Sequence, residues 1–270
     1  NYAVGFNNID VDAATALGIP VTNTPGVLTD TTADLSWALL MAVARRIPQA
    51  HNYMVRGNYK LWGPNLFLGS DISPGPKGEV KTLGIVGYGR IGRAVHRRSL
   101  GFDMNVLAYD PPAKEQIMKT EGVRYADLDD LLSQSDFVTL HCLLTEETHH
   151  LIGKDELKRM KPTAYLINAS RGPVVDEKAL VWALQNGEIA GAALDVYEHE
   201  PEMAEGLAEL DNVVLVPHIA SASRATRTEM ALMAARNALA LLNRERAPNT
   251  VNPSVYDTQA SRKRISQAES

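Results

Sequence analysis

Cysteine is almost absent from this sequence, since Cys142 is the only one among its 270 residues. An intrachain disulfide is therefore excluded, and a reducing compartment such as the cytoplasm is expected. Cys142 follows an apolar segment of strand type, residues 137–140. We therefore interpret it as a small buried hydrophobic side chain and not as a catalytic thiol.

An excess of positive charge and long apolar runs are lacking as well. The formal net charge is −5, so no general attraction to nucleic acid or to an anionic membrane is expected. The longest uncharged apolar run, residues 35–44, is too short to cross a bilayer. What is present, 45% hydrophobic and 22% charged residues, is typical of a soluble globular protein.

Residues 82–92, TLGIVGYGRIG, are the stretch around which the chain is organised. An apolar strand pattern turns through Gly87, Gly89 and Gly92 into the start of a helix. In a dinucleotide-binding turn, the first glycine permits the tight turn, the second lets the backbone approach the pyrophosphate, and the third allows close packing. Asp110 follows the next predicted strand, at about the expected 20 residues from the glycines. The pattern predicts a dinucleotide site; the alternative is an ordinary strand-to-helix turn with a solvated aspartate.

Strand and helix patterns alternate from residue 82 onward, which predicts an α/β fold with a doubly wound parallel sheet. The six predicted strands lie near residues 83–87, 105–109, 137–141, 164–168, 190–194 and 213–216. The predicted helices lie near residues 91–100, 113–120, 127–134, 155–160, 176–186 and 224–243.

The first 81 residues show weaker patterns. They predict a helix over residues 11–17, a strand over 19–22, a helix over 49–58 and a loop over 61–78. Between them, residues 31–34 are predicted to cap a strongly apolar helix that runs through Arg45 or Arg46.

Polar residues that follow the last three predicted strands are the candidates for chemistry. Arg171, Glu200 and His218 come after three successive strands, and parallel strands all end at one edge of the sheet, where ligands bind. The adjacent His149 and His150 could suggest a metal site. Since adjacent side chains point apart and a third ligand is not nearby in sequence, we interpret the two histidines as a solvated loop and predict no metal.

Several segments resemble the D-isomer-specific 2-hydroxyacid dehydrogenases, and the glyoxylate/hydroxypyruvate reductase branch in particular. The matching pieces are VGFNNID, NTPGVLTDTTADL, VGYGRIG with YD, INASRGPVVDE, ALDVYEHEP and PHIAS. The resemblance implies an NAD(P)-dependent oxidoreductase that reduces a small 2-keto acid, glyoxylate or hydroxypyruvate, to the D-2-hydroxy acid. It also implies a Rossmann cofactor domain together with a flavodoxin-like substrate domain.

The resemblance assigns roles to the candidate residues. Arg171 would hold the substrate carboxylate and carbonyl oxygen through its planar fork of donors. His218 would be the general acid, and Glu200 would orient its ring. The backbone of Val4 and Gly5 would hold the carboxylate from the other domain.

The same matching implies the cofactor contacts. Arg90 and Ile91 would contact the pyrophosphate, together with Gly87, Gly89 and Gly92 of the turn. Asp110 would bind the adenine ribose, and Asp195 would lie near the carboxamide. Asp110 favours NAD over NADP, because a carboxylate accepts from ribose hydroxyls and repels a 2′-phosphate.

The expected domain organisation follows from this resemblance. Residues 1–23 would be a remnant of the substrate domain, 24–221 the dinucleotide-binding domain, 222–257 a C-terminal helix returning to the substrate domain, and 258–270 a disordered tail. A homodimer is expected through the helices of residues 31–58 and the loop that carries Trp62.

Two other functions remain open at this point. One is D-3-phosphoglycerate dehydrogenase, which should need extra cations near a substrate phosphate. The other is an NAD-sensing corepressor or scaffold, which would keep the same fold and catalytic residues. Formate dehydrogenase is disfavoured, because that branch resembles this pattern with an amide in place of Glu200.

Overall fold

The computed structural model describes residues 1–257, which fall into two compact units. The larger unit is Thr32–Ala220, and the smaller unit combines Asn1–Thr31 with the segment that begins at Ser221. The tail predicted to be disordered, residues 258–270, lies outside the described residues.

A seven-stranded sheet forms the framework of the larger unit, and every strand pairs in parallel with its neighbours. The strand order is β3-β2-β1-β4-β5-β6-β7. This order confirms the predicted doubly wound α/β architecture. The strands are β1 (Thr82–Val86), β2 (Asn105–Tyr109), β3 (Arg124–Tyr125), β4 (Phe137–Leu140), β5 (Tyr165–Asn168), β6 (Gly191–Leu194) and β7 (Val213–Leu215).

Helices connect the strands and precede the sheet. Those that begin before the sheet are α1 (Val11–Ala16), α2 (Thr29–Ala44) and α3 (Ile47–Val55). Those that follow β1 are α4 (Arg90–Ser99), α5 (Lys114–Met118), α6 (Leu128–Gln134), α7 (Lys154–Arg159), α8 (Glu177–Asn186) and α9 (Arg224–Leu242). Among the described residues, no helix is both long enough and apolar enough to cross a membrane.

Side chains of successive strand residues enter two apolar layers, one on each face of the sheet. Leu83 and Ile85 of β1 belong to the layer formed with α2 and α4, and Val86 belongs to the layer formed with α6, α7 and α8. This alternation is the period of two that a strand imposes. Burial of each such side chain contributes about 1.5–3 kcal/mol, so the two layers stabilise the sheet that carries the loops at its carboxyl edge.

Asn252 organises the smaller unit around α1. Its Oδ1 accepts the N–H of Val21 at 2.8 Å, and its Nδ2 donates to Thr15 Oγ1 at 2.8 Å and to Ile19 O at 3.1 Å. The strand predicted over residues 19–22 is wrong, because these backbone groups bind a side chain and only Thr22 forms an antiparallel bridge, with Thr250.

Two predictions about the segments around the sheet also need correction. Helix α2 begins at Thr29 and ends at Ala44, so residues 31–34 lie within it and do not cap it. The turn before the helix is made by Gly26, whose carbonyl accepts the N–H of Thr29 at 3.2 Å. The seventh strand, β3, was not predicted because two residues are too short for a period to show.

Candidate active site

The three glycines after β1 each meet a different steric demand. Gly87 has a φ of +92°, and a Cβ there would lie 2.4 Å from the backbone nitrogen of Cys142. A Cβ on Gly92 would lie 2.2 Å from the carbonyl oxygen of Gly87. A Cβ on Gly89 would meet no described atom within 4 Å. The turn is therefore closed at its first and third glycines and open at its second, where a phosphate group can approach the backbone.

Helix α4 starts directly at this opening. Gly89 precedes it in an extended conformation, and the helix receives no hydrogen bond from a capping side chain in the described structure. Arg90 and Ile91, predicted to contact the pyrophosphate, are its first two residues. Since the first N–H groups of a helix lack intrahelical acceptors, they are suited to bind an anion. The contact itself stays a prediction.

Asp110 comes immediately after β2 and is anchored to the glycine turn. Its Oδ2 accepts the backbone N–H of Tyr88 at 2.7 Å. A wide groove of about 960 Å³ opens beside it, lined by Pro111, Lys114 and neighbouring residues up to Thr120. The carboxylate thus lies at the position where a ribose attached to the bound phosphates is expected.

Sequence reasoning missed a buried pair that ties the glycine turn to its helix. The hydroxyl of Tyr88 lies 2.6 Å from Nδ1 of His96 in α4, and both side chains are buried. Desolvation raises the pKa of Tyr88 and lowers the pKa of His96, so both groups are neutral around pH 7. Tyr88 lies in the turn between β1 and α4, so no helical or strand period relates it to His96.

Arg171 is held by the loop that follows β5. The side chain of Asn168 accepts from both the N–H and the hydroxyl of Ser170, at 3.0 and 2.9 Å, and donates to the carbonyl of Arg171 at 3.0 Å. The guanidinium donates to the carbonyl of Ser170 at 2.8 Å. Burial lowers the pKa of Arg171, and the nearby Glu200 carboxylate opposes that shift. Arg171 therefore remains a cation close to Glu200.

The loops that carry Arg171 and Glu200 are in direct contact. A Cβ on Gly172 would lie only 1.8 Å from the carbonyl oxygen of Tyr197, so a side chain at position 172 would force the two loops apart. Tyr197 in turn donates its backbone N–H to Glu200 Oε1 at 3.1 Å. Its hydroxyl donates to the carbonyl of Val216 at 3.0 Å, two residues before His218.

Glu200 and His218 form the acid–histidine pair that the sequence predicts. His218 Nδ1 lies 3.0 Å from Glu200 Oε2. Because a carboxylate only accepts, Nδ1 carries the proton, and Nε2 is left as the ring atom for other chemistry. Both side chains are partly exposed, so the pair adds little to stability and acts mainly to orient the imidazole.

Asp195, at the end of β6, holds the backbone on which His218 sits. Its two carboxylate oxygens accept the N–H groups of Ile219 at 2.6 Å and Ala220 at 2.9 Å, and its carbonyl accepts the N–H of His218 at 2.9 Å. Burial raises the pKa of Asp195, whereas the two N–H groups and His218 lower it. The predicted role near a carboxamide stays a prediction.

Glu177, the first residue of α8, is a second residue that sequence reasoning missed. It is 3% exposed, and its carboxylate accepts the backbone N–H groups of Glu198 at 2.7 Å and Ala204 at 2.8 Å. These two bonds fix both ends of the loop that carries Glu200. In the sequence, Glu177 is simply an acidic residue in the first turn of a predicted helix, where acidic residues are favoured by the helix dipole. That pattern does not indicate a contact with another loop.

Val4 and Gly5, predicted to bind substrate, belong to the smaller unit. The carbonyl of Val4 accepts from the side chain of Asn23 at 2.8 Å, and that of Gly5 accepts from the side chain of Asn1 at 2.6 Å. The Val4–Gly5 and Gly5–Phe6 peptide groups are therefore each held by a side chain.

The expectation that the side chains of His149 and His150 point apart is wrong, although His149 is exposed as expected for a solvated loop. Their rings stack at 4.1 Å between centroids, because His150 adopts a left-handed conformation with a φ of +51°. His150 Nε2 also lies 2.7 Å from Glu198 Oε1. The third polar partner comes from a residue 48 positions away, which inspection of the nearby sequence could not find.

The strand order, the open glycine turn and the acid–histidine pair at the same sheet edge define a Rossmann-type dinucleotide-binding protein. A family model described as "D-isomer specific 2-hydroxyacid dehydrogenase, NAD binding domain" matches residues 37–220. The chain belongs to the D-isomer-specific 2-hydroxyacid dehydrogenase family, which confirms the resemblance stated above.

Relatives with curated names place the chain within that family. It is 55% identical over 256 residues to a glyoxylate reductase of Korarchaeum cryptofilum, covering 94% of this chain and 75% of the relative. It is 52% identical over 258 residues to a glyoxylate reductase of Thermococcus litoralis, covering 94% and 76%. The similar solved structures include an NADPH-dependent glyoxylate/hydroxypyruvate reductase of Sinorhizobium meliloti in complex with NADP and malonate. The two structures superpose with a TM-score of 0.83 at 36% sequence identity, over 93% of this chain and 76% of that one. The chain is thus similar to the glyoxylate reductase branch.

Proposed function

We propose that this protein transfers a hydride from NAD(P)H to a small 2-keto acid, glyoxylate or hydroxypyruvate, and releases the D-2-hydroxy acid. The observation that carries this proposal is the His218–Glu200 pair at 3.0 Å, with the Arg171 cation close to Glu200. The pair lies on loops at the same edge of the sheet as the open glycine turn. Family membership and the similarity to glyoxylate reductases support the same reaction.

Each side chain has a defined task in this reaction. Arg171 binds the substrate carboxylate and polarises the keto oxygen. His218, held by Glu200 through Nδ1, donates the proton on Nε2 to that oxygen as it gains charge. The reduced nicotinamide, when bound, supplies the hydride. In the oxidation direction, neutral His218 takes the proton back.

Substitutions at Arg171 and His218 test the proposal. Arg171→Ala should abolish reduction of glyoxylate by NADH, and His218→Gln should lower kcat by about 10²–10⁴. His51→Gln, an exposed histidine on α3, is the matched control and should leave the rate unchanged. Circular dichroism checks that each variant is folded. Rates equal to wild type in the Arg171 and His218 variants would reject the assignment.

A panel of 2-keto acids assayed with NADH and NADPH tests the substrate and the cofactor. We propose that NADH is the better donor, because the Asp110 carboxylate would face a 2′-phosphate. Asp110→Asn keeps an acceptor for the Tyr88 N–H and removes the charge, so the ratio of kcat/KM values should move towards NADPH. A wild-type preference for NADPH contradicts this proposal. A preference for 3-phosphohydroxypyruvate would instead favour a phosphoglycerate dehydrogenase.

The smaller unit supports a second part of the proposal. We propose that the segments on either side of the cofactor domain of residues 24–221 belong to the substrate domain. Val4 and Gly5, whose carbonyls are fixed by Asn23 and Asn1, would offer backbone N–H groups to the substrate carboxylate. Replacement of Asn23 by Ala, which frees the Val4 peptide, should then raise the KM for the keto acid more than the KM for NADH.

We also propose that the protein is a cytoplasmic homodimer. Apolar side chains on α3 and on the following loop are exposed, among them Val55 at 66%, Leu61 at 83% and Trp62 at 70%. Large apolar side chains left exposed near one another in the chain are frequent where proteins associate. Light scattering should give twice the chain mass, and Trp62→Glu should shift it towards the monomer. The single cysteine is compatible with a reducing cytoplasm.

A further inference from the structure

A second cluster of chemically competent side chains lies on the loops after β4 and β6. It consists of His149, His150 and Glu198, whose potential ligand atoms all lie within 4.8 Å of one another. Glu200, which the mechanism uses, is two residues further along the chain. Neither the two histidines nor Glu198 has a role in the proposed reduction.

The backbone at His150 is what brings the two rings together. Its φ of +51° lies in the left-handed region, which residues other than glycine adopt uncommonly. The conformation is held by the His150 N–H, which donates to the carbonyl of Pro173 at 2.8 Å. As a result the imidazoles of His149 and His150 stack with their centroids 4.1 Å apart, at an interplanar angle of 29°.

Glu198 completes the cluster with an oriented carboxylate. Its Oε1 lies 2.7 Å from His150 Nε2, and its Oε2 accepts the N–H of Glu177 at 3.3 Å. The Glu198 side chain is 16% exposed and that of His150 is 36% exposed. Because a backbone N–H holds the far oxygen, the near oxygen stays directed at the two imidazoles.

We propose that His149, His150 and Glu198 bind a divalent transition metal ion, with Zn²⁺ the best match. Two imidazoles and one carboxylate are ligands that Zn²⁺ takes at about 2.0–2.2 Å, and three protein ligands leave a position for water. Mg²⁺ and Ca²⁺ prefer oxygen ligands and match this set poorly. The potential ligand atoms already lie within 4.8 Å of one another, and the proton shared by His150 and Glu198 leaves as the metal enters.

Calorimetric titration of the full chain with ZnCl₂ tests the site without using activity. His149→Asn removes one ligand from an exposed position and should weaken Zn²⁺ binding at least tenfold. His51→Asn is the matched control for an exposed histidine, and His218→Asn controls for binding at the acid–histidine pair. Both should keep the wild-type affinity. As a second readout, Co²⁺ should give the visible absorption of a tetrahedral site, lost in His149→Asn.

Weaker binding in His149→Asn, with unchanged affinity in both controls, supports the proposal. Absence of measurable Zn²⁺ binding, an unchanged affinity in His149→Asn, or a loss in either control overturns it. These results are independent of the proposed reductase function, because the titration contains neither cofactor nor keto acid.

Discussion

Replacement of Glu177 by Gln perturbs the loop that carries Glu200 without changing any residue proposed to touch substrate. Glu177 is 3% exposed and accepts two backbone N–H groups, those of Glu198 at 2.7 Å and Ala204 at 2.8 Å. Glutamine has nearly the same volume but only one acceptor atom, so its amide N–H₂ must face one of the two donors. One buried N–H therefore loses its partner.

The expected loss of stability follows from those two bonds. A hydrogen bond to a charged group contributes about 1.5–3 kcal/mol, and a buried donor left without a partner costs about 1–3 kcal/mol. In the variant, one hydrogen bond remains but its acceptor is a neutral amide oxygen, and the other buried N–H has no acceptor. We therefore expect the free energy of unfolding to fall by about 2–4 kcal/mol. With one end of the loop released, Glu200 no longer fixes the His218 ring, and kcat should fall by about 10-fold to 100-fold.

Urea unfolding and steady-state kinetics measure both effects. Glu205→Gln makes the same chemical change on an exposed side chain of the neighbouring segment and should change neither quantity. The KM for NADH should be unchanged in both variants, because Glu177 holds the loop after β6, whereas the groups proposed to bind the phosphates lie on the turn after β1. A loss of stability below about 0.5 kcal/mol in Glu177→Gln, together with a wild-type kcat, would refute the idea that Glu177 holds the loop.

Three further predictions concern the carboxyl edge of the sheet. Tyr88→Phe removes the buried hydrogen bond to His96, so the free energy of unfolding should fall by about 0.5–1.5 kcal/mol. The KM for NADH should rise more than the KM for the keto acid, and equal changes in the two KM values would contradict this prediction. Gly89→Ala places a methyl group in open space, so the thermal unfolding temperature should be unchanged. Calorimetry should show weaker NADH binding, and an unchanged affinity would refute the idea that a phosphate group approaches the backbone at Gly89. Burial lowers the pKa of His141 to about 3. Between pH 6.5 and 3, the unfolded chain therefore binds a proton that the folded protein does not. The free energy of unfolding should fall by up to about 1.4 kcal/mol for each pH unit of acidification in that range. His141→Asn should flatten that slope in acid unfolding, and an unchanged slope would contradict the assignment.

The sheet and its connections could be predicted from the sequence because they depend on local patterns. Apolar runs such as residues 137–140 and the glycine turn at Gly87 and Gly89 act within a few residues, and six of the strands follow from them. The sequence could also indicate that Arg171 and His218 lie near each other, because of the topology of the sheet. Parallel strands end at one edge, so residues that follow successive strands are brought close together in space.

Contacts between distant loops could not be predicted in this way. Glu198 bonds to His150, 48 residues away, and to Glu177, 21 residues away, and neither separation follows a helical or strand period. The left-handed backbone at His150 likewise could not be predicted, because residues other than glycine adopt that conformation uncommonly. These features depend on how the loops pack, which the sequence pattern does not encode locally.

Buried and half-buried acids at the sheet edge share one structural role, which is to accept hydrogen bonds from backbone N–H groups. The residue type alone does not indicate this role. Asp110 accepts the N–H of Tyr88, Asp195 accepts those of Ile219 and Ala220, and Glu177 accepts those of Glu198 and Ala204. In the sequence, an acid after a strand suggests a ligand contact. In the structure, each of these carboxylates first satisfies backbone donors of a neighbouring loop, and a buried N–H without a partner would be costly. The positions of the proposed catalytic side chains therefore depend on acids that need not touch the substrate, and substitutions at these acids should affect stability and turnover together.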